Sequence, residues 1–589
     1  MNLRALFATW LLVLAAPLQA LSPPPGPPAA GAEVAVAVAR PLRPAPGEHP
    51  AQPAIASANA YATDAGMEVL AAGGNAFDAA IAVSAVLGLV EPESSGLGGG
   101  GFLLLHVAAD DRDVFVDARE RAPLAAQRDM FLGADGEAVP RRSIDGALAA
   151  AIPGMPAALD HVARHYGRLP LARSLAPAIR LAREGWRFGP KNHAMIGFRR
   201  DVLARSPAAA ALFLRDGDVP APGTLMRNED YARTLEALAA DGAAGFYRGD
   251  FAARLVAGVR AAGGIWSERD LAEYAVIERE PIRIRHRGFE IVTAPPPSSG
   301  GITLAAILNI LDGYDLPALA EADRIHLTVE AMRRAARDRA TRMGDPDFVD
   351  VPVRLLTSPD YAAGLRAGIH PQRATPSELL PGVDPGRGRP DTSHFSIIDA
   401  EGNLAAVTQT VNLPYGNALV VPGTGFLLNN EMDDFSVKPG VPNAFGLVGD
   451  EANAVAPGKR PLSSMTPTFL FGPDRVGVLG TPGGSRISTM VLIGLLAMMD
   501  GQGAQAAVAS PRFHHQYLPD RLQVEPEALG PAVRADLAAR GHTVTVAAEP
   551  WGNMQAVLWR RDLGTVEAGT DPRWRGVGKA SAGDATIYR

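Results

Sequence analysis

The chain has 589 residues, of which 47% are apolar and 20% are charged. This composition is typical of a globular protein and excludes both wholesale disorder and a multi-span membrane protein. The 56 basic and 63 acidic residues give a net charge of −7, so neither nucleic acid nor an anionic membrane surface is an expected partner. Since the chain has no cysteine, disulfides, cysteine-ligated metals and a cysteine nucleophile are excluded.

Residues 1–20 have the pattern of a secretory signal peptide. Arg4 precedes an apolar run over residues 5–16, and small residues surround a cut after Ala20. The run is too short to span a bilayer comfortably, so we expect export with cleavage rather than a membrane anchor, and a periplasmic or secreted protein. Residues 21–53 are rich in Pro and Ala and are expected to form a disordered tether, with order beginning near Ala54.

The remaining chain divides into an early helical part and a late strand-rich part. The early part predicts two Ala-rich helices, a hairpin, a mostly helical stretch, a strand–loop–helix unit, a further helix and a polar loop, at about 57–72, 76–90, 102–117, 145–290, 284–312, 321–342 and 370–390. The late part predicts strands at 393–398, 404–410, 466–472, 475–479, 521–525, 543–547 and 554–560, and a buried helix at 485–499. This pattern favours a layered α+β protein.

Two glycine-rich segments require opposite interpretations. Residues 96–101 satisfy the G-x-G-x-x-G pattern, but a helix precedes them and a strand follows, which is the wrong order for a dinucleotide site. A sharp, crowded backbone turn is expected there. Residues 481–486 follow a strand and open a helix, so their backbone N–H groups can converge on an anion or on the oxyanion of an acyl-transfer intermediate. A plain tight turn is the alternative for this segment.

Standard hydrolase motifs are missing from the sequence. It contains neither a G-x-S-x-G elbow nor an H-E-x-x-H motif, and His514 and His515 are adjacent, so their side chains point apart and chelate poorly. We therefore expect neither a serine triad nor a metal site, and no cofactor. Thr392 lies at the junction between the long polar loop and the first late strand, where a threonine is ordinarily only a strand residue.

Ordered motifs along the chain resemble those of the γ-glutamyltransferase (glutathione hydrolase) family. The similarity runs from about residue 50 to residue 560. The motifs that carry it are GGNAFDAA (73–80), DARERAP (117–123), DTSHFS (391–396), VTQTVN (407–412), NNEMDDF (429–435), RPLSSM (460–465), PGGSR (482–486) and PRFHHQ (511–516).

The resemblance implies an N-terminal-nucleophile hydrolase with an αββα sandwich. It also implies a proenzyme that cuts itself between Asp391 and Thr392, giving a large subunit (54–391, behind the tether) and a small subunit (392–589) that stay together as a heterodimer. The cut would free the α-amine of Thr392, whose ordinary pKa near 7.7–8.0 suits a general base. One residue would then supply both nucleophile and base.

The same resemblance assigns roles around the nucleophile. Thr410 would position Thr392, and the amides of Gly483 and Gly484 would stabilise the oxyanion. The γ-glutamyl substrate carries an α-carboxylate and an α-ammonium group. The residues implied for the carboxylate are Arg119, Ser463 and Ser464, and those for the ammonium group are Asn412, Glu431 and Asp434. The acyl group would pass to water or to an amino-acid or peptide acceptor.

One position departs from the family pattern. Residues 436–460 resemble the lid loop of some bacterial members, which carry Tyr where this chain has Phe445. A phenylalanine can cover the pocket but cannot donate the hydroxyl hydrogen bond that latches the lid. We therefore expect a looser lid and a greater share of hydrolysis relative to transfer.

Two alternatives stay open at this point. A glutaryl-cephalosporin acylase of the same fold would act on an acyl group without an α-ammonium, which leaves Glu431 and Asp434 without a ligand and so disfavours it. A secreted, catalytically silent binding protein on this scaffold would show no chain cleavage.

Overall fold

Two antiparallel β-sheets pack face to face in the computed structural model, which describes residues 40–380, 392–574 and 577–580. The signal-peptide prediction, the start of the tether and Asp391 lie outside the described residues. From Pro41 onward the described residues form one compact unit. None of its described helices is long and apolar enough to cross a membrane.

The strands are β1 (Ala54–Ser57), β2 (Gly100–Val107), β3 (Arg112–Ala118), β4 (Trp186–Arg187), β5 (Leu225–Met226), β6 (Ile277–Arg279), β7 (Ile282–His286), β8 (Phe289–Thr293), β9 (Ser393–Ile398), β10 (Leu404–Thr410), β11 (Thr468–Phe471), β12 (Arg475–Gly480), β13 (Phe513–His514), β14 (Leu522–Val524), β15 (Val544–Val546), β16 (Gln555–Arg560), β17 (Thr565–Thr570) and β18 (Val577–Ala580). The order in the larger sheet is β18-β1-β9-β10-β2-β3-β6, and in the second sheet β17-β16-β12-β11-β8-β7.

The helices are α1 (Ala60–Ala71), α2 (Ala76–Val90), α3 (Met155–His165), α4 (Leu171–Glu184), α5 (Pro190–Leu203), α6 (Pro207–Phe213), α7 (Glu229–Asp241), α8 (Ala244–Tyr247), α9 (Gly249–Ala261), α10 (Glu268–Ala272), α11 (Gly300–Leu311), α12 (Glu321–Arg342), α13 (Val353–Leu356), α14 (Pro359–Ala367), α15 (Ile487–Met499), α16 (Ala504–Ala509) and α17 (Pro531–Ala539). The predicted helices 76–90 and 321–342 have these bounds, and the predicted buried helix is α15.

Alternation along β2 shows how the layers are built. Leu103 and Leu105 face the core shared with α2, whereas Phe102 and Leu104 face the core shared with the second sheet. Successive side chains of a strand point to opposite faces, so a strand with no polar face must be covered on both sides. Helix α2 packs on β9 and β10, while α11 and α15 pack on β7 and β12. The predicted αββα sandwich is confirmed.

The structure differs from the expected tether over residues 41–53. Arg43 donates hydrogen bonds to Asp113 and Glu290, at 2.6 and 3.0 Å, and Arg561 binds the carboxylate of Glu48. Composition alone indicated too little apolar surface for order, but these residues are held by ion pairs with the body instead. The tether prediction is therefore wrong for residues 41–53.

The glycine run before β2 is a crowded turn, as predicted. A Cβ atom at Gly98 would lie 2.0 Å from the carbonyl oxygen of Leu427, and one at Gly99 would lie 1.9 Å from that of Thr410. Any side chain there would collide with backbone, which explains the need for glycine. Since α2 precedes the run and β2 follows it, the order of elements is not that of a dinucleotide site.

Candidate active site

Strand ends from both sheets meet at one edge of the sandwich. Thr392 immediately precedes β9, and Thr410 is the last residue of β10, which pairs antiparallel with β9 in the register Gln409 to Ser393. Arg119 directly follows β3 at the same end of the larger sheet. In the second sheet, β12 ends at Gly480 and leads into the second glycine-rich turn. The topology thus gathers residues that are far apart in sequence.

Thr392 and Thr410 are buried side by side. Their hydroxyl oxygens lie 3.3 Å apart, and both residues are almost inaccessible to solvent. The backbone N–H of Asn412 donates to the Thr410 oxygen at 2.8 Å, which fixes the Thr410 side chain beside Thr392. Asn412 itself has a positive φ of 77°, a conformation that Asn tolerates better than most residues.

A small cavity opens onto this pair. Ten of the eleven predicted site residues line it. They are Arg119, Thr392, Thr410, Asn412, Glu431, Asp434, Phe445, Ser463, Ser464 and Gly484, joined by Leu447, Met465 and Ile487. The structure therefore brings the predicted residues together, while the roles assigned to them stay predictions.

Gly483 is the predicted site residue that does not line the cavity. It has a φ of +145°, and a Cβ atom there would lie 2.3 Å from the Cε atom of Met490. The turn continues as a short 3-10 helix over Gly484–Arg486 and then as α15. The strand–turn–helix order predicted from the sequence is confirmed, and it leaves backbone N–H groups at a helix start available for an oxyanion.

Arg119 is the centre of a buried ionic cluster. Its guanidinium binds Glu431 through Nη1 and Asp434 through Nη2, the latter at 2.5 Å, and its Nε donates to the carbonyl oxygen of Pro461 at 3.0 Å. The residues predicted to recognise the two opposite charges of a substrate are therefore paired with one another. A zwitterionic ligand carries both charges. Its carboxylate can replace Glu431 and Asp434 at Arg119 while its ammonium group pairs with those two side chains, so that no buried ion is left unpaired.

The cluster holds more carboxylates than its arginine can neutralise. Glu120 is also fully buried beside Arg119. Burial raises the pKa of Glu431 well above its ordinary value, and repulsion from Glu120 and Asp434 adds to the effect against the attraction of Arg119. The pKa of Glu120 is raised for the same reason. A carboxyl group that is buried without full neutralisation holds its proton to a higher pH than it does in water, so this end of the cavity takes up a proton more readily than an exposed carboxylate.

Residues 443–447 border the cavity, which Phe445 and Leu447 line. We call this segment the lid tip. Asn443 accepts hydrogen bonds from the N–H groups of Phe445 and Leu447, at 3.0 and 3.1 Å, which folds the tip into a tight turn. Its amide donates to Asp434 at 3.1 Å, and the N–H of Ala444 donates to Asp433 at 2.9 Å. Phe445 is thereby held over the cavity with 8% of its surface exposed.

Several residues that contact the site or its lid were not predicted from the sequence. Asn443 and Asp433 anchor the lid tip, and Arg339 donates to Ser299, which in turn binds the carbonyl oxygen of Ser463. Burial lowers the pKa of Arg339 to about 10. Gln516 belongs to the family-like motif PRFHHQ, but the sequence did not predict which residues it contacts. Asp433 belongs to the NNEMDDF motif and Asn443 to the lid loop, so only their contact role was missed, whereas Arg339 and Ser299 gave no local signal because their partners lie far away in the chain.

Comparison with known proteins agrees with this geometry. The family model described as gamma-glutamyltranspeptidase matches residues 62–581. A glutathione hydrolase proenzyme of Pseudomonas sp. (strain A14) is 42% identical over 86% of this chain and 88% of its own, and that of Escherichia coli is 39% identical over 88% and 90%. The crystal structure of cephalosporin acylase from Bacillus halodurans superposes with a TM-score of 0.80 at 30% identity, covering 90% of this chain and 96% of that one.

These features define the class of the enzyme: the αββα sandwich, the buried Thr392–Thr410 pair and the glycine turn before α15 are those of an N-terminal-nucleophile hydrolase. Within that class, the chain belongs to the γ-glutamyltranspeptidase family.

Proposed function

We propose that the chain cuts itself between Asp391 and Thr392 and that the freed Thr392 transfers γ-glutamyl groups from glutathione and related compounds to water, amino acids or peptides. The observation that carries this proposal is one cavity that holds both the Thr392–Thr410 pair and the Arg119–Glu431–Asp434 cluster. The first can attack an acyl carbon, and the second can hold the free amino-acid end of the donor. The names of the relatives support the same activity.

Each step of the reaction has a group to perform it. The Thr392 Oγ1 attacks the γ-carbonyl carbon while its own α-amine, freed by the cut, takes the hydroxyl proton. N–H groups of the Gly483–Gly484 turn stabilise the oxyanion, and collapse returns the proton to the leaving amine and leaves an ester on Thr392. Water or the amine of an acceptor then attacks that ester by the reverse sequence, which releases the γ-glutamyl product and restores the hydroxyl.

The donor's amino-acid end is bound by exchange within the ionic cluster. Its α-carboxylate binds to the guanidinium of Arg119 and to Ser463 and Ser464. Its α-ammonium group binds to Glu431 and Asp434, with Asn412 beside them. These six side chains line a single cavity, which supports their assignment to one ligand. Because every buried charge keeps a partner, the exchange avoids the desolvation cost of an isolated ion.

We also propose that the enzyme works outside the cytoplasm. The signal-peptide pattern of residues 1–20 supports a periplasmic or secreted enzyme. Two subunits, 392–589 and the large piece before it, remain associated because their strands share both sheets.

A second candidate activity is the hydrolytic removal of a glutaryl group from cephalosporins, favoured by the structural similarity to a cephalosporin acylase. A glutaryl donor has no α-ammonium group, so it would leave Glu431 and Asp434 with Arg119 alone. Replacement of Asp434 by Asn therefore separates the two activities. It impairs a γ-glutamyl donor and spares a glutaryl donor if the main proposal holds.

The decisive experiment combines fragment sequencing with donor assays. The purified protein is expected to give two bands on a denaturing gel, the smaller beginning at Thr392, and to hydrolyse a γ-glutamyl anilide faster than a glutaryl anilide. Thr392→Ala should remain a single chain without activity, because the same hydroxyl attacks the preceding carbonyl. An intact, active wild-type chain would overturn the proposed cut, and preference for the glutaryl anilide would favour the acylase.

A further inference from the structure

Gln516 lies between the lid tip and the glycine turn. Its Nε2 is 3.2 Å from the carbonyl oxygen of Gly446, in the lid tip, and 3.2 Å from that of Leu518. Its Oε1 accepts from the hydroxyl of Ser485, in the glycine turn, at 2.8 Å and lies 2.9 Å from His514 Nε2. One side-chain amide thus joins two segments about seventy and thirty residues away along the chain.

The partners determine which way the amide faces. Both Gly446 and Leu518 present carbonyl oxygens, which only accept, so the NH₂ group must face them. The amide oxygen then faces Ser485 and His514, and His514 must carry its proton on Nε2. With both donors and its acceptor oxygen used, Gln516 has a single orientation.

His514 holds this arrangement from behind. It is 1% exposed, and its Nδ1 lies 2.8 Å from the hydroxyl of Thr489 on α15. Burial lowers the pKa of His514 to about 3, with repulsion from Arg486 in the same direction, so the ring is neutral. The Thr489 hydroxyl, which also lies 2.9 Å from the carbonyl oxygen of Arg486, is the donor available to Nδ1, and Nε2 donates to Gln516, so the buried ring helps to keep Gln516 in place.

The geometry points to Gln516 as the positioning residue that latches the lid of this enzyme. Its NH₂ group holds the lid tip closed through Gly446, and its oxygen fixes Ser485 in the turn whose N–H groups face the oxyanion. Phe445 has no hydroxyl with which to latch the lid, and the contact to Gln516 is made by the lid backbone instead. The inference rests on the proposed function, because the closed lid matters by keeping water from the acyl ester on Thr392.

Two substitutions separate the two halves of the latch. Gln516→Glu keeps oxygens for Ser485 and His514 but turns an oxygen toward Gly446, so the lid contact is lost. Ser485→Ala keeps the lid contact and loses the link to the turn. Gln372→Glu is the matched control, because Gln372 is exposed and its side-chain amide contacts Asp323 of α12 rather than the lid tip. Gln516→Met, which has no added charge, serves if Gln516→Glu does not fold, as judged by its cleavage into two fragments.

The measurements are the ratio of transfer to hydrolysis at fixed acceptor concentration and hydrogen exchange of the amides at 444–447. In Gln516→Glu the ratio should fall roughly two- to tenfold and the lid amides should exchange faster by a similar factor, the range expected for one lost hydrogen bond. In Ser485→Ala the ratio should stay unchanged while kcat falls for both reactions. Gln372→Glu should match the wild type.

Three results would contradict parts of this inference. A cleaved Gln516→Glu protein with the wild-type ratio and wild-type exchange would overturn the latch. An equal fall of the ratio in Ser485→Ala would overturn the division of roles. Wild-type protein without γ-glutamyl activity would reject the proposed function, and the exchange measurement alone would then decide whether Gln516 holds the lid.

Discussion

The two ends of the cavity are held by different forces. At one end Arg119, Glu431 and Asp434 form a buried ionic cluster. At the other, Gly446 and Gln516 are joined by a neutral hydrogen bond. Removing one partner of a buried ion pair costs about 3–5 kcal/mol, whereas a neutral hydrogen bond contributes about 0.5–1.5 kcal/mol. The ionic cluster is therefore expected to be held more strongly than the Gly446–Gln516 contact of the lid tip, which Asp433 and Asp434 also anchor.

The largest effect is expected at the charged end. Arg119→Ala leaves Glu431 and Asp434 buried without their cation, so kcat/KM for a γ-glutamyl donor should fall about 10²- to 10³-fold. Most of the loss should appear in KM, because a non-reacting carboxylate is bound in both ground and transition states. Steady-state kinetics measure it. Arg180→Ala is the control, since Arg180 forms an exposed pair with Glu68. Wild-type kinetics in Arg119→Ala would show that the charged pocket is assigned wrongly.

A smaller loss is expected at the glycine turn. Gly483→Ala places a Cβ atom against Met490 and requires a φ of +145°, so the turn must shift. The expected result is a fall in kcat of about 10²-fold, the effect of losing one oxyanion donor, with KM nearly unchanged. Gly364→Ala is the matched control, because a Cβ atom there meets nothing within 4 Å. Equal kinetics in the two variants would remove the turn from the mechanism.

Acid should affect the two ends in opposite directions. The pKa of His514 is lowered by burial to about 3, so the unfolded chain binds its proton first and stability falls as the pH drops below about 6.5. The pKa of Glu120 is raised by burial, so its contribution to stability is present at low pH and is lost as the pH rises above 4.5. Each contributes up to about 1.4 kcal/mol per pH unit where only one state is protonated.

Denaturant unfolding of the uncut Thr392→Ala chain, which can refold as one chain, at several pH values between about 5 and 6.5 separates these contributions. Between those limits His514→Gln should make the free energy of unfolding rise less steeply with pH, and Glu120→Gln should make it rise more steeply. His165→Gln, at an exposed position, should leave the slope unchanged. Slopes that change in the same direction would contradict the contrast between a proton-binding end and a neutral end.

The smallest effect is expected for the lid side chain. Phe445→Tyr adds one hydroxyl to a lid tip that Asp433, Asp434 and Gln516 already hold. The ratio of transfer to hydrolysis should rise about twofold, the low end for one added hydrogen bond. Product analysis at fixed acceptor concentration measures it. A fall in the ratio would mean that the packing of the phenylalanine ring stabilises the closed lid more than the hydrogen bond of the added hydroxyl does.

Local patterns in the sequence predicted the frame of the site. The strand-rich late part predicted β9 and β10 at their observed bounds, and the strand–glycine–helix order predicted the turn before α15. Strand β1 was missed because Ala54–Ser57 is too short and too Ala-rich to show alternation. The pairing of Arg119 with Glu431 and Asp434, and the latch at Gln516, depend on contacts across hundreds or tens of residues. No local pattern encodes such contacts, and only the family resemblance gathered the residues beforehand.

The strand order of the sheets has a consequence for how the enzyme can be made. In the larger sheet, β1 comes from before the proposed cut and lies between β18 and β9, which both come from after it. The pieces are thus interleaved, so folding must precede the cut. Once the cut is made, refolding becomes a bimolecular threading of two chains, and heat inactivation of the mature enzyme should be irreversible and depend on the scan rate. Self-cleavage therefore turns an equilibrium fold into a kinetically preserved one.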